Sequence, residues 1–151
     1  MRFIRVAQNK KDWLELLLLA DESEEMIHRY LDRGEMFLLA AGEGVLGSCV
    51  LTREGPDTWE LKSLAVYPRC QGRGWGKALV AFARGYCRGR GGRRLLVGTG
   101  ASPGTVGFYQ SCGFAVTGRV EGFFTQNYPA PIWDEAKGDY LRDMVYLEMG
   151  L

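Results

Sequence analysis

Ten consecutive residues, Pro68-Arg69-Cys70-Gln71-Gly72-Arg73-Gly74-Trp75-Gly76-Lys77, carry the clearest chemistry in this chain. Alternating glycines let the main chain approach a ligand that a side chain would push away. The stretch runs straight into an apolar pattern of helical period, so its last amides open a helix. Such amides have no internal acceptor, and the helix dipole adds roughly half a positive charge beside them. Arg69, Arg73 and Lys77 raise the local potential further. The sum is a site for an anion, phosphate above all; a purely structural turn is the competing reading. Two familiar phosphate motifs are excluded. Lys77 is followed by Ala78, so the P-loop ending is missing. Gly72, Gly74 and Gly76 do not have the Gly-x-Gly-x-x-Gly spacing of a dinucleotide turn.

The other side chains that could do chemistry are sparse or spread out. Cys49, Cys70, Cys87 and Cys112 form no Cys-x-x-C pair, and His28 is the one histidine, so a zinc site is not expected. Charge is unevenly placed. Net charge is +1, with 19 basic and 18 acidic residues, which argues against a surface given over to nucleic acid. Yet from Leu61 to Val120 there is no acidic residue and there are ten basic ones, leaving the remainder acidic. A cationic middle suits a polyanionic ligand, and an acidic remainder suits a cationic one; solvated helix faces would give the same count.

These residues need a frame. The chain has 151 residues, 46% of them apolar, enough for one domain with one core. Arg2 to Val6 reads as a strand. Asn9 is placed to cap a helix carrying Trp13, Leu16, Leu17 and Ala20, and Asp21 with Glu24 to cap a second carrying Met26, Ile27, Tyr30 and Leu31. Met36 to Ala41 and Val45 to Thr52 are strands joined by the turn Gly42-Glu43-Gly44. Trp59 to Val66 follows as a strand. The pattern then predicts a helix from Gly74 to Arg88, a short buried strand at Leu95 to Val97, and a helix from Thr105 to Cys112 behind Pro103. Strands at Phe114 to Thr117 and Tyr140 to Met149 flank an aperiodic loop, Phe123 to Lys137. The order is that of an α/β domain, residues 1–151, with a mixed sheet and helices on both faces. Within Trp59–Val66 the apolar parity slips between Leu61 and Leu64. A β-bulge near Lys62-Ser63 would cause that, as would burial on both faces.

Gln71-Gly72-Arg73-Gly74-Trp75-Gly76 resembles the Gln/Arg-x-x-Gly-x-Gly/Ala signature of the GNAT superfamily of acyl-CoA-dependent N-acetyltransferases. Leu61 to Pro68 is similar to the strand before that signature, and Phe108-Tyr109-Gln110-Ser111-Cys112-Gly113-Phe114 to the family's F-Y-x-x-x-G-F segment. The C-terminal part also resembles a bacterial subgroup that includes polyamine acetyltransferases. The resemblance implies acetyl-CoA as co-substrate, with no metal. It implies a GNAT-like sheet whose strands Trp59–Val66 and Leu95–Val97 splay into a V. The pantetheine arm would pair with free main-chain groups of Leu64 and Val66, with Ala65 also in the cofactor site. The pyrophosphate would sit on the amides of the turn Arg73, Gly74, Trp75, Gly76 and Lys77, and Gln71, Gly72, Thr99, Ser102 and Phe108 would complete the cofactor site. Ala101 stands where relatives often carry Asn, so Thr99 or Ser102 would have to replace that contact.

Acetyl transfer needs a neutral amine, a stabilised oxyanion and a proton for the leaving thiolate. The family likeness gives the proton to Tyr109, whose phenol stays protonated at neutral pH with an ordinary pKa of about 10. It points main-chain N–H near Val66 at the oxyanion. Glu60, the last carboxylate before the acid-free stretch, is the expected base, against the plain alternative of a solvated strand end. Asp134, Glu135 and Asp143 are candidate contacts to a cationic acceptor. Phe123, Phe124, Tyr128 and Trp133 are a candidate apolar wall, or plain packing. The acceptor would be a small molecule with a primary amine, polyamines included; a peptide amine and a non-catalytic CoA-binding module stay as alternatives. Nucleic acid is not expected, since Tyr86 alone interleaves Arg84 to Arg94. The family likeness allows a homodimer. The segment Met1 to Ala20 lacks the apolar run and cleavage site of a secretory signal, and no membrane span is expected. The expected location is the cytoplasm, where spaced thiols stay reduced.

Overall fold

The computed structural model describes residues 1–42 and 44–151. It contains β1 (Arg2–Val6), α1 (Leu14–Ala20), α2 (Glu24–His28), β2 (Glu35–Ala41), β3 (Gly44–Arg53), β4 (Thr58–Val66), α3 (Trp75–Gly89), β5 (Arg94–Gly100) and α4 (Pro103–Ser111). β6 (Ala115–Val120), α5 (Phe123–Asn127), β7 (Trp133–Asp134), β8 (Asp139–Tyr140) and β9 (Met144–Gly150) follow. Seven strands form one sheet in the order β1-β2-β3-β4-β5-β9-β6, and β7 with β8 makes a small hairpin. Every neighbour in the large sheet is antiparallel except β4 and β5. The expected mixed sheet with helices on both faces is what forms.

Each face has its own core. On one, α3 and α4 cover Leu39, Leu51, Trp59, Leu61, Leu95 and Leu147. On the other, α1, α2 and the turn after α2 bring Leu16, Leu17, Ile27 and Leu31 against Met36, Leu38, Val50 and Ala65. Each such fully buried side chain contributes roughly 1.5–3 kcal/mol. Helix α3 follows its apolar spacing. Leu79, Val80, Ala83 and Cys87 are buried, and Phe82 and Tyr86 pack edge-on against Phe37. It stops where Gly91 takes φ +81° and the Gly92 amide turns back to the Cys87 carbonyl at 2.8 Å.

Several boundaries differ from expectation. Asn9 adopts φ +57° and caps through its carbonyl, not its side chain. Ser23, not Asp21, caps α2: its Oγ accepts from the Met26 amide at 3.2 Å. The expected loop from Phe123 holds α5 and the β7–β8 hairpin, elements of five and two residues, too short to show a period. β5 runs three residues past Val97, to Gly100. The last strand begins at Met144, not Tyr140. The turn Gly42-Glu43-Gly44 includes Glu43, which lies outside the described residues.

The parity slip in β4 is a bulge. Val50 of β3 faces Ser63, and the next residue, Leu51, faces Leu61, so Lys62 is the extra residue. Trp59, Leu61, Leu64 and Val66 therefore all join the α3-side core, while Ala65 faces the other.

Candidate active site

The bulge sits where the sheet opens. β4 and β5 pair from Thr58–Arg94 only as far as Leu61–Val97, although both strands continue. Bulges bend and twist a strand, and beyond Lys62 the two edges part into a V. The Tyr67 amide donates to Leu46 of β3 at 2.9 Å. Main-chain groups alternate sides along a strand, so those of Val66 and Leu64 turn toward the V. The Gln71 side-chain amide donates to the Val66 carbonyl at 3.0 Å. Gln71 thereby ties the glycine-rich turn to the mouth of the V, a positioning role that spacing alone did not reveal.

The turn itself has the geometry an anion needs. Gly72 and Gly74 have φ +77° and +85°, a region L side chains enter only under strain. A Cβ built on either meets no atom within 4 Å, so open space lies in front of both. The first helical bond of α3 runs from Ala78 N to Gly74 O. The amides of Trp75, Gly76 and Lys77 thus have no backbone acceptor among the described residues. Gly76 serves packing: a Cβ there would lie 3.1 Å from the Phe108 ring, which ties α4 to the start of α3. Arg73 and Lys77 are exposed beside the turn. Lys77, Arg84 and Arg88 share a second, basic groove along α3 of about 360 Å³.

At the V lies a cavity of about 420 Å³. Leu64 lines it from β4, Thr99 from β5, Ser102 from the residue before α4 and Tyr109 from α4. Ser102 is buried and caps α4 without a side-chain bond to the helix. Burial, with a smaller effect from Cys112, pushes the Tyr109 phenol above its ordinary range, so it enters any reaction protonated. The rest of the lining includes an acidic and aromatic set. Asp21 and Glu22 come from the α1–α2 link, Asp134 from β7 and Glu135 from the turn after it, with Phe124, Tyr128 and Trp133 among them. Lys62 is the cation on this lining. The Asp134 Oδ1 accepts from the Ala136 amide at 3.1 Å, and its buried Oδ2 has no partner among the described residues.

Other expected residues lie elsewhere. Glu60 is held by Lys62 at 3.0 Å and does not line the cavity. Asp143 accepts from the Gly122 amide at 2.9 Å and pairs with Arg119 at 2.8 Å. The Gly122 hydrogen bond first, then Arg119, holds its carboxyl below the usual range, and it too is absent from the lining. Phe123 is likewise not on the wall. Asp21 is the functional candidate that sequence reading missed, because it was assigned to helix capping. Burial raises its carboxyl above the usual range, outweighing the Tyr128 hydrogen bond, the Ser23 amide and Arg29.

Residues 6–114 match the Acetyltransferase (GNAT) family. An uncharacterized N-acetyltransferase, YvbK of Bacillus subtilis, is 35% identical over 150 residues, covering 98% of this chain and 96% of its own. This chain belongs to the GNAT family of acetyltransferases. Solved GNAT structures agree in fold over the whole sheet. A GNAT acetyltransferase from Elizabethkingia anophelis with acetyl-CoA bound superposes with a TM-score of 0.93 at 34% identity, covering 99% of this chain and 97% of that one. A Bacillus subtilis acetyltransferase in complex with CoA superposes with 0.90 at 34% identity, covering 99% and 98%. The present GNAT chain is accordingly an acetyl-CoA-dependent N-acetyltransferase. Among its described residues no group of His, Cys, Asp and Glu is arranged to hold a metal, and no helix is long and apolar enough to cross a membrane.

Proposed function

We propose that this GNAT enzyme acetylates a primary amine on a small cationic molecule, a polyamine being the fitting class, by direct attack in a ternary complex. The observation that carries this is the cavity at the V, where four carboxylates and three aromatic rings surround the space that Tyr109 borders. An ammonium is drawn by the carboxylates, and its alkyl chain packs on the rings. A folded-in wall of this kind supports a small acceptor over a peptide lying in an open groove.

In this reading the pyrophosphate of acetyl-CoA rests on the amides of Arg73 to Lys77, with Arg73 and Lys77 screening charge. The pantetheine arm follows the edge where the main chain of Leu64 and Val66 turns toward the V, with Ala65 between them, and Thr99, Ser102 and Phe108 border its end. The nitrogen attacks the thioester carbonyl, main-chain N–H at the V receives the oxyanion, and Tyr109 gives its proton to the leaving sulfur. Glu60, paired with Lys62 and off the cavity wall, could act only through water. Four unpaired thiols, three of them buried, fit the reducing cytoplasm in which we place the enzyme. The test is CoA release with polyamines, amino acids, aminoglycosides and peptides as acceptors. Turnover is expected for polyamines and other polycationic amines; turnover confined to peptides or to anionic amino acids would overturn the reading.

A further inference from the structure

We infer that Asp21 is the group that takes the proton from the acceptor amine. The inference rests on the reading above that the acceptor is a cationic amine, and it adds the residue that makes that amine nucleophilic. Asp21 follows the last turn of α1, where its own amide closes the helix on Leu17 at 3.2 Å. Its Oδ1 is occupied twice, by the Tyr128 hydroxyl at 2.8 Å and by the Ser23 amide at 3.2 Å. Tyr128 is itself anchored, its amide bonded to the Phe124 carbonyl at the end of α5. Both donors thus fix one oxygen, and Oδ2 has no partner among the described residues. The carboxylate is held by one oxygen, half-buried, and on the wall of the cavity that Tyr109 also lines.

The other carboxylates do not combine these properties. Glu60 is neutralised by Lys62 and stands off the wall. Glu22 and Glu135 are exposed. Asp134 also has one unpartnered oxygen, but that Oδ2 is closed off from solvent and its Oδ1 is tied to its own turn, so it can neither meet an amine nor pass a proton to water. An ordinary carboxylate is a poor base for an ammonium, and a base works best with a pKa nearer the operating pH. Burial shifts Asp21 in that direction. The charged and titratable groups facing it are Arg29 and Tyr30 from α2 and its following turn, Tyr128 from α5, and Glu22, Asp134, Glu135 and Lys62 around the cavity.

The protons balance. The bound ammonium gives one proton to Asp21 Oδ2, which passes it to solvent. The neutral nitrogen forms the N–C bond, and the C–S bond breaks with its electron pair on sulfur. Tyr109 protonates that sulfur, and the second proton leaving nitrogen restores the phenol. The products are the amide, CoA thiol and one proton.

The experiment is the pH profile of kcat/KM for the full chain, with spermidine as acceptor, comparing wild type, Asp21→Asn and Tyr128→Phe. Asp21→Asn should lose ~10²-fold or more near neutral pH, mainly in kcat, with acetyl-CoA binding unchanged. The deficit should shrink as the pH approaches the amine's own pKa, where solvent supplies neutral amine. Tyr128→Phe removes a bond that favours the charged carboxylate, so the acidic limb should move to higher pH. Wild-type kcat/KM in Asp21→Asn, a loss confined to KM, or a deficit independent of pH would each overturn the assignment. Should Asp21→Asn fail to bind acetyl-CoA, an unmoved limb in Tyr128→Phe overturns it and a moved limb supports it. A wild-type enzyme inert toward every amine would overturn the cationic-amine reading, and this one with it.

Discussion

Tyr109 and Asp21 line one cavity, and burial pushes both side chains toward their protonated forms. For Tyr109 that is the state an acid needs. Tyr109→Phe should lower kcat by ~10²-fold or more while acetyl-CoA affinity, read by calorimetry, stays within twofold. Unchanged turnover would remove the phenol from the reaction. For Asp21 the same burial costs stability. Its folded pKa lies above the unfolded value of about 3.9, so its stabilising contribution is complete at low pH and is lost as pH rises through the folded value. Asn keeps an oxygen for Tyr128 and Ser23 but carries no charge. The Asp21→Asn melting temperature at neutral pH should therefore equal or exceed that of wild type, and a clear fall would mark the residue as structural. Tyr109 was legible because it stands inside a recognisable segment. Asp21 was not, because its partner Tyr128 is 107 positions away and no local pattern joins them. Giving the cap of α2 to Ser23 would have freed Asp21 for another role.

At the scale of elements, the site depends on one extra residue and one turn. Deleting Lys62 would give β4 an unbroken alternation, with Trp59, Leu61, Leu64 and Val66 still facing α3 and the β3 ladder regular. The deletion variant should fold, by circular dichroism, yet lose at least tenfold in acetyl-CoA affinity because the V no longer opens; unchanged affinity would show that the bulge does not cause the splay. Gly74→Val should strain the αL position by about 1–3 kcal/mol and block the amides in front of it, so thermal stability and acetyl-CoA affinity should both fall. Stability loss alone would detach the turn from phosphate. The longer elements were legible, since β4, α3 and β3 carry full periods of apolar residues. The parity slip even located the bulge. The acceptor wall was not, because α5, β7 and β8 are too short for any period to show.

Across the whole molecule, charge divides as the reaction requires. The acid-free stretch from Leu61 to Val120 supplies the turn, α3 and the basic groove. The acidic flanks return to the V as the α1–α2 link and the β7–β8 hairpin, whose carboxylates line the cavity. That partition was readable as two opposite preferences, but which acidic residues meet in space depends on where the α1–α2 link and the β7–β8 hairpin, which lies outside the large sheet, come to rest. Raising ionic strength from about 0.01 M to about 1 M shortens the screening length from about 30 Å to about 3 Å. The KM values for acetyl-CoA and for a polyamine should both rise severalfold with kcat little changed; salt-independent KM values would contradict the electrostatic division. The account stands most directly on where acetyl-CoA binds, and a crystal structure of the complex decides it. The account predicts pyrophosphate oxygens ~3 Å from the amides of Arg73 to Lys77, with the acetyl group at the cavity between Tyr109 and Asp21. A nucleotide seated anywhere else, or a V closed by its own side chains, would contradict it.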